Sequence, residues 1–405
     1  MFGMTGELGK AWLTIVGIGE DGPAGLSAAS REALARAEWV TGAARHLALL
    51  PDLACETAVW PVPFDDGIAP LLTQRGRRVV MLASGDPFWF GAGSTVTRHL
   101  GRHEWTAHPA PSTFGLAAAR LGWSIDAVAC VGLHAAPFER LRPKLATGVR
   151  AIVLVRDGAA VGALARYLLD QGFGDSRLWI LEALGGLHER VRETTAATMA
   201  FADIAHPVAV GIAVDGSGAV LATASGRPDR WFAHDGQITK RPVRALTLSA
   251  LAPRPFETLW DIGTGSGSIA IEWLLSHPTT QAIAFEADPT RAERARSNAA
   301  TLGVDRLRIV EAHAPEGLAD HPGPDAVFIG GGLSEALLDW LWTNLAPGTR
   351  IVANAVTLES EATLAAWHRA KGGDLLRIEL SDVAPIGSRR GWRAHYPIVQ
   401  WSASL

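Results

Sequence analysis

The sequence repeatedly passes from a short apolar run, through a glycine-containing loop, into a helical pattern. In the first half, such runs occupy residues 13–16, 79–82 and 151–155, and each precedes a loop and then a helix. A helix that follows a strand folds back across the sheet, so successive units of this kind build a parallel sheet with helices on its faces. The repeated order therefore predicts an α/β fold.

The second half shows the same alternation more regularly. One helix is well marked, because Asp288 can cap its start and Pro289 suits its first turn. Five alternating units and a terminal pair of strands predict a doubly wound sheet with a hairpin at one edge. Strands are predicted at residues 259–262, 282–286, 307–311, 326–329, 350–353, 374–380 and 395–401, and helices at residues 268–275, 289–302, 334–345 and 360–371.

The length of 405 residues suits two or three domains. The pattern changes between His206 and Gly236, where strand-like pieces are broken by turn residues. We therefore predict one domain over residues 1–233 and a second over residues 236–405. The two halves share no motif, which indicates a fusion of different domains rather than a duplication.

The charge and the cysteine content of the chain restrict the cellular compartment and the binding partners that can be expected for it. The formal net charge is −4, which disfavours a nucleic acid or a membrane surface held by bulk electrostatics. Cys55 and Cys130 are too few for a disulfide framework or a thiolate metal site. Residues 1–10 lack the apolar region of a signal peptide, and no apolar run approaches the length of a membrane span. We expect a cytoplasmic protein without a bound metal.

A glycine loop between a strand and a helix of the second half is the main candidate for a ligand site. Glycine lets the backbone approach a ligand closely, and main-chain N–H groups near the helix start can bind polar atoms. The next strand ends in Glu286, at an offset where a carboxylate accepts hydrogen bonds from a ribose. The candidate cofactor-binding residues are Asp261, Gly263, Thr264, Gly265, Ser266, Gly267 and Glu286.

Two other interpretations of this loop remain open at this point: a purely structural turn and an NAD site. The spacing Gly-x-Gly-x-Gly differs from the dinucleotide pattern, in which Ser268 would be Gly or Ala. Asp261 also places a carboxylate near the loop, where a pyrophosphate would be repelled. A methionine-derived sulfonium ligand carries a positive centre and no phosphate, so it suits an acidic loop better.

This region resembles the class I S-adenosylmethionine methyltransferases. The resemblance implies that Glu286 binds the ribose and that Ala314 lies on the adenine side. Residues 238–244 and 354–359 more specifically resemble the decarboxylating precorrin methyltransferases, which implies that Thr239 lies at the cofactor pocket.

Three loops that end strands of the first half form a second candidate cofactor site. Such loops converge at the ligand cleft of an open α/β sheet. The candidate residues are Gly17, Gly19, Ser84, Gly85, Asp86, Ser112 and Thr113. Together with Val131-Gly132-Leu133-His134 and Leu181-Glu182-Ala183-Leu184-Gly185, these loops resemble the tetrapyrrole methylase family over residues 13–214. The first loop departs from that family. It reads Gly-Ile-Gly-Glu-Asp-Gly, with Glu20-Asp21 after the second glycine, whereas the family usually has Gly-x-Gly-Pro-Gly.

A tetrapyrrole methylase domain followed by a class I methyltransferase domain resembles the two-domain methyltransferases of cobalamin biosynthesis. This resemblance implies one S-adenosylmethionine per domain, methylation of carbons 5 and 15 of precorrin-6B, and decarboxylation of the ring C acetate side chain to give precorrin-8. We expect the C-terminal domain to catalyse one methylation and the decarboxylation, and the N-terminal domain to catalyse the other methylation. The expected partners are this small-molecule tetrapyrrole and further copies of the chain in a homo-oligomer.

Candidate catalytic residues follow from the chemistry of such a substrate. Arginine binds carboxylates through its planar fork, and histidine can move protons near neutral pH. The candidates are His134, His313, Arg389, Arg390 and Arg393, the arginines being placed in a loop between the last two predicted strands.

Three alternative functions remain open from the sequence. An RNA methyltransferase is disfavoured because acidic side chains slightly outnumber basic ones in each half. An NAD-dependent oxidoreductase is disfavoured by the loop spacing. A non-catalytic scaffold that holds a tetrapyrrole is the third alternative.

Overall fold

The computed structural model describes residues 11–405, which fall into two compact units. The N-terminal unit comprises the described chain up to Ala136 together with Lys144–Ala219. The C-terminal unit comprises Pro137–Pro143 and Val220–Leu405. Residues 1–10, where we predicted no signal peptide, lie outside the described part.

The N-terminal unit is an α/β structure with two sheets. Its strands are β1 (Leu13–Ile18), β2 (Trp39–Gly42), β3 (Glu56–Val59), β4 (Val79–Ser84), β5 (Trp105–His108), β6 (Ala129–Gly132), β7 (Arg150–Leu154), β8 (Arg177–Glu182), β9 (Arg190–Thr195) and β10 (Val208–Ala213). Its helices are α1 (Ala28–Ala35), α2 (Ala44–Ala48), α3 (Ile68–Leu72), α4 (Ala92–Val96), α5 (Thr113–Leu121) and α6 (Gly158–Asp170).

The first of these sheets is wholly parallel and has the order β3-β2-β4-β1-β5. Strand β1 is apolar on both faces: Leu13 and Ile15 belong to one apolar cluster, while Val16 and Ile18 belong to another. A strand covered on both faces gives a continuous apolar run in the sequence. The second sheet is mixed and has the order β6-β7-β10-β8-β9.

The C-terminal unit alternates strands and helices as expected. Its strands are β11 (Thr258–Ile262), β12 (Gln281–Glu286), β13 (Arg308–Glu311), β14 (Ala326–Ile329), β15 (Arg350–Ala355), β16 (Asp374–Ile378), β17 (Ser381–Ile386), β18 (Arg389–Ala394) and β19 (Ile398–Ser404). Its helices are α7 (Arg241–Leu251), α8 (Ser268–Ser276), α9 (Pro289–Thr301), α10 (Glu335–Asn344) and α11 (Leu358–Lys371).

Seven of these strands form one sheet in the order β13-β12-β11-β14-β15-β19-β16, with β19 antiparallel to both neighbours. Side chains alternate between two apolar clusters: Ala282 and Ala284 of β12 lie in one cluster, and Ile283 and Phe285 in the other. Helices contribute to both clusters, which confirms the predicted doubly wound, seven-stranded sheet. Asp288 caps α9 as predicted.

The structural division of the chain falls at Ala219–Val220, whereas the sequence analysis placed it at residues 233–236. The segment from Val220 to Asp235 packs against the rest of the C-terminal unit through a buried ion network. The carboxylate of Glu272 on α8 accepts hydrogen bonds from the main-chain N–H groups of Gly226 and Arg227, at 2.7 and 2.9 Å. The same carboxylate pairs with Arg244 on α7 at 2.7 Å.

The hairpin of β17 and β18 forms a separate two-stranded sheet, where the sequence analysis expected a loop. Most of its side chains are exposed on both faces, so it lacks the alternation of buried and exposed positions that marks a strand in a sequence. Across residues 11–405, no helix has the length and apolar character needed to cross a membrane.

Candidate cofactor and substrate sites

The predicted glycine loop of the C-terminal unit connects β11 to α8 and lies against the loop that follows β14. Gly263 has a φ of +67°, and a Cβ atom there would lie 2.7 Å from the Cα of Gly331. Such a distance is too short for any side chain, so glycine is required for the two loops to meet. The main-chain N–H of Gly263 also donates to the carbonyl of Phe285 at 2.9 Å, which joins the loop to β12.

Asp261 lies fully buried beneath this loop. Its Oδ2 accepts hydrogen bonds from the hydroxyl of Thr264 at 2.7 Å and the main-chain N–H of Ala270 at 3.0 Å. Its Oδ1 has no hydrogen-bond partner among residues 11–405. Burial raises the pKa of Asp261 to about 6, the hydrogen bonds oppose that shift, and the charge of Glu286 adds to it. The acidic side chain thus has an unpaired oxygen in a region that disfavours negative charge.

Glu286 ends β12 and faces the same loop. One carboxylate oxygen accepts from the N–H of Gly265 at 2.8 Å, and the other accepts from the N–H of Asp288 at 3.1 Å. A carboxylate has about four acceptor positions, so Glu286 retains capacity for hydroxyl groups of a ligand. The structure therefore brings Asp261, Glu286 and the glycine loop together.

Ala314 lies close to this group. The N–H of Ala312 donates to the carbonyl of Glu286 at 3.1 Å, and an open pocket is lined by Ala312, His313, Ala314, Glu316 and Gly317. The carbonyl of Ser266 accepts a hydrogen bond from the side-chain amide of Asn298 at 2.8 Å. Thr239 is half-buried just before α7, where its carbonyl accepts a hydrogen bond from Arg244.

The structure does not bring the predicted substrate-binding arginines to the glycine loop. Arg389, Arg390 and Arg393 are exposed on β18, and no hydrogen bond or ion pair among the described residues joins them to that loop. His313 is exposed at the rim of the pocket.

In the N-terminal unit, the three predicted loops meet at the carboxyl edge of the parallel sheet. A Cβ atom at Gly17 would lie 1.9 Å from the carbonyl oxygen of Gly85, so the backbones of β1 and the loop after β4 touch directly. The N–H of Gly85 donates to the carbonyl of Ile18 at 3.0 Å, and the N–H of Ala110 donates to the carbonyl of Gly85 at 3.1 Å. These bonds join all three strand ends.

The polar residues of these loops also organise their own backbone. Asp86 accepts from the N–H of Phe88 at 2.8 Å, and Ser112 caps α5 by accepting from the N–H of Gly115 at 3.0 Å. Thr113 is the first residue of α5, and Gly19 follows directly after β1. His134 is exposed in the loop after β6.

Some residues that shape these sites escaped the sequence analysis. Arg45 and His46 on α2 both contact the hydroxyl of Ser84, at 2.5 and 3.1 Å. Asn298, buried on α9, joins Ser266 to Ala233. Two features of the sequence could have indicated these residues. One is the adjacent Arg and His after a strand, and the other is a polar residue on the apolar face of α9.

The two units that carry these glycine loops match two different families of methyltransferase domain. Residues 12–200 match the family of tetrapyrrole (corrin/porphyrin) methylases, and residues 230–405 match the precorrin methyltransferase domain family.

Relatives extend the likeness over the whole chain. The precorrin-6Y C(5,15)-methyltransferase [decarboxylating] of Sinorhizobium sp is 48% identical over 96% of each chain. The protein of the same name from Mycobacterium tuberculosis is 41% identical over 97% of this chain and 99% of its own. A shorter relative, the cobalt-precorrin-6B C(15)-methyltransferase (decarboxylating) of Salmonella typhimurium, is 32% identical over 40% of this chain and 85% of its own. The chain therefore belongs to the family of precorrin-6Y C(5,15)-methyltransferases (decarboxylating), as the sequence analysis expected.

Asp261 predicts a specific pH dependence of stability. The folded pKa of about 6 exceeds the ordinary aspartate pKa of 3.8. The stabilising contribution of Asp261 is therefore complete below pH 3.8 and is lost as the pH rises through about 6. The lost contribution is about 3 kcal/mol. Asp261→Asn should abolish this dependence on pH. The variant should therefore gain stability relative to wild type as the pH rises from about 4 to about 6, and the difference should stay constant above that range.

Urea unfolding of the C-terminal unit at a series of pH values measures this difference. Asp320→Asn, at an exposed site, is the matched control. Parallel curves for wild type and Asp261→Asn would contradict the interpretation.

Proposed function

We propose that the chain methylates carbons 5 and 15 of precorrin-6B and decarboxylates the acetate side chain on ring C, which gives precorrin-8. Support comes from relatives that are named for C(5,15)-methylation with decarboxylation and that match the chain over both units. The observation that carries the proposal for the site is the pair of acidic side chains, Asp261 and Glu286, against one glycine loop. We propose that this reaction takes place in the cytoplasm, without a nucleic-acid partner.

We propose that each unit binds one S-adenosylmethionine. When bound, this cofactor supplies a methyl group that its positively charged sulfur makes electrophilic. The residues of the C-terminal site fit such a group, because the buried Oδ1 of Asp261 has no partner within the described part of the chain and two carboxyl groups disfavour a phosphate. A cationic ligand without phosphate would relieve that electrostatic cost.

In the C-terminal unit, we assign Glu286 to the ribose hydroxyls and Ala314 to the adenine side. The backbone of Gly263, Thr264, Gly265, Ser266 and Gly267 would line the ligand, with Thr239 at the pocket edge. Asp261 would hold the loop through Thr264 and Ala270. The chain contributes mainly by orienting the donor and acceptor and by excluding water, which in ideal cases lowers a barrier by about 7–11 kcal/mol.

In the N-terminal unit, we assign the cofactor to the cleft formed by Gly17, Gly19, Ser84, Gly85, Asp86, Ser112 and Thr113. The contact of Gly17 with Gly85 supports this assignment, since it leaves no side chain between the loops. Ser112 supplies a helix start at which N–H groups gather.

We propose that the C-terminal unit performs one methylation and the decarboxylation, and that the N-terminal unit performs the other methylation. The shorter Salmonella relative, named for C(15)-methylation with decarboxylation, matches a part of this chain about the size of one unit.

We propose Arg389, Arg390 and Arg393 as ligands of substrate carboxylates, and His134 and His313 as groups that move protons. The arginines lie together on an exposed hairpin, where their planar forks are accessible. Exposed apolar side chains on the same hairpin, including Ile386 and Trp392, support assembly as a homo-oligomer.

Glu286→Ala should weaken S-adenosylmethionine binding at the C-terminal site by about 10- to 100-fold, because a charged acceptor of ligand hydrogen bonds is lost. Decarboxylation should fall with it, while the N-terminal site should retain its affinity. Calorimetric titration of the full chain measures both sites, and mass analysis of the products measures carbon dioxide loss. Glu293→Ala, exposed on α9, is the control. Equal loss at both sites would refute the assignment.

Asp86→Ala should have the complementary effect. The N-terminal site should weaken about tenfold, because the side chain that holds the N–H of Phe88 is removed and the loop loses its fixed shape. At cofactor concentrations below the weakened Kd, a larger share of the product should lack one methyl group, while carbon dioxide loss should be unchanged. Asp52→Ala, at an exposed position, provides the comparison. Loss of carbon dioxide release in Asp86→Ala would disprove the division of labour.

A further inference from the structure

Arg45 connects two of the loops at the N-terminal cleft. It lies on α2, and its guanidinium donates to the carboxylate of Glu20 at 2.6 Å and to the hydroxyl of Ser84 at 2.5 Å. Glu20 follows the end of β1, and Ser84 is the last residue of β4. These two strands are neighbours, with Ile18 opposite Ser84 in register. One side chain from a third element therefore joins both strand ends.

The anchors of this bridge are adjacent to residues assigned to the cofactor. Gly19 precedes Glu20, and Gly85 follows Ser84. A change in the separation of Glu20 and Ser84 would therefore change the width of the cleft between these glycines.

The surroundings hold both anchors in place. A Cβ atom at Gly186 would lie 2.7 Å from the Cβ of Glu20, so Glu20 packs closely against that loop. His46, the residue after Arg45, lies 3.1 Å from the hydroxyl of Ser84 through its Nε2. Burial, followed by the charge of Arg45, lowers the pKa of His46 to about 3, so the ring adds no positive charge at neutral pH.

The ion pair differs from an ordinary surface pair. The side chains of Arg45 and Glu20 are 32% and 22% exposed, whereas the pair of Arg36 and Glu32 on α1 is 66% and 59% exposed. Exposed ion pairs on helices contribute little to stability, because water screens the charges and both side chains lose conformational freedom. A planar guanidinium that donates to two fixed acceptors loses less freedom for each bond.

We propose that Arg45 is a positioning residue for the N-terminal methylation: it clamps the Glu20 loop to Ser84 and thereby sets the cofactor cleft. The inference rests on the proposed function, since it requires a cofactor site in the N-terminal unit. It also makes Ser84 an anchor of the clamp, in addition to its assigned place in the cleft.

The test is a double-variant cycle in the full chain, with S-adenosylmethionine as the probe. Arg45→Ala should raise the Kd of the N-terminal site about tenfold. Arg45→Lys should restore part of the affinity, because a lysine retains the charge but lacks the fork. Glu20→Gln should also weaken this site, and the double variant should be no weaker than Arg45→Ala alone, since both changes break one bridge.

Two further readouts separate positioning from general destabilisation. The KM for S-adenosylmethionine should rise with little change in kcat, and the C-terminal site and carbon dioxide release should stay at wild-type values. Arg36→Ala is the matched control and should change neither site.

The proposal would be overturned if Arg45→Ala left the Kd of the N-terminal site unchanged. It would also be overturned if the effects of Glu20→Gln and Arg45→Ala on that Kd were independent. Equal weakening of both sites would also overturn it. A wild-type chain that binds S-adenosylmethionine only in the C-terminal unit would refute the two-site proposal itself, and the inference would fall with it.

Discussion

Both sites depend on direct contact between backbones at the carboxyl edge of a parallel sheet. In the N-terminal unit Gly17 meets the carbonyl of Gly85, and in the C-terminal unit Gly263 meets Gly331. Any side chain at Gly17 or Gly263 would push neighbouring loops apart. Because parallel strands end at the same edge, these contacts create the clefts to which polar residues from several loops contribute.

The two units meet the electrostatic demands of their clefts differently. The C-terminal unit places two acidic side chains near one loop and leaves the Oδ1 of Asp261 unpaired, at a cost in stability that a cationic ligand would offset. The N-terminal unit instead pairs Glu20 with Arg45, so its cleft edge contains a bound ion pair. We propose that the two sheets bind the same donor with these different arrangements of charge.

The fold class and the convergence of the main loops were predictable, because buried strands and capped helices leave periodic patterns. The start of α9 at Asp288-Pro289 is one such case. The hairpin of β17 and β18 was missed because its side chains are exposed on both faces. The packing of Val220–Asp235 depends on Glu272, which lies far along the chain, and Arg45 acts across three elements. Such long-range polar contacts leave no local pattern in one sequence.

We propose, from these two clefts, that each unit holds its own S-adenosylmethionine. The most direct measurement is the binding stoichiometry of the full chain, determined by equilibrium dialysis with labelled cofactor at saturating concentration. Two equivalents per chain are expected. One of them should be lost when a side chain blocks the glycine contact of either unit, by Gly17→Val or by Gly263→Val. A single equivalent in the wild-type chain, abolished by only one of these substitutions, would contradict this proposal.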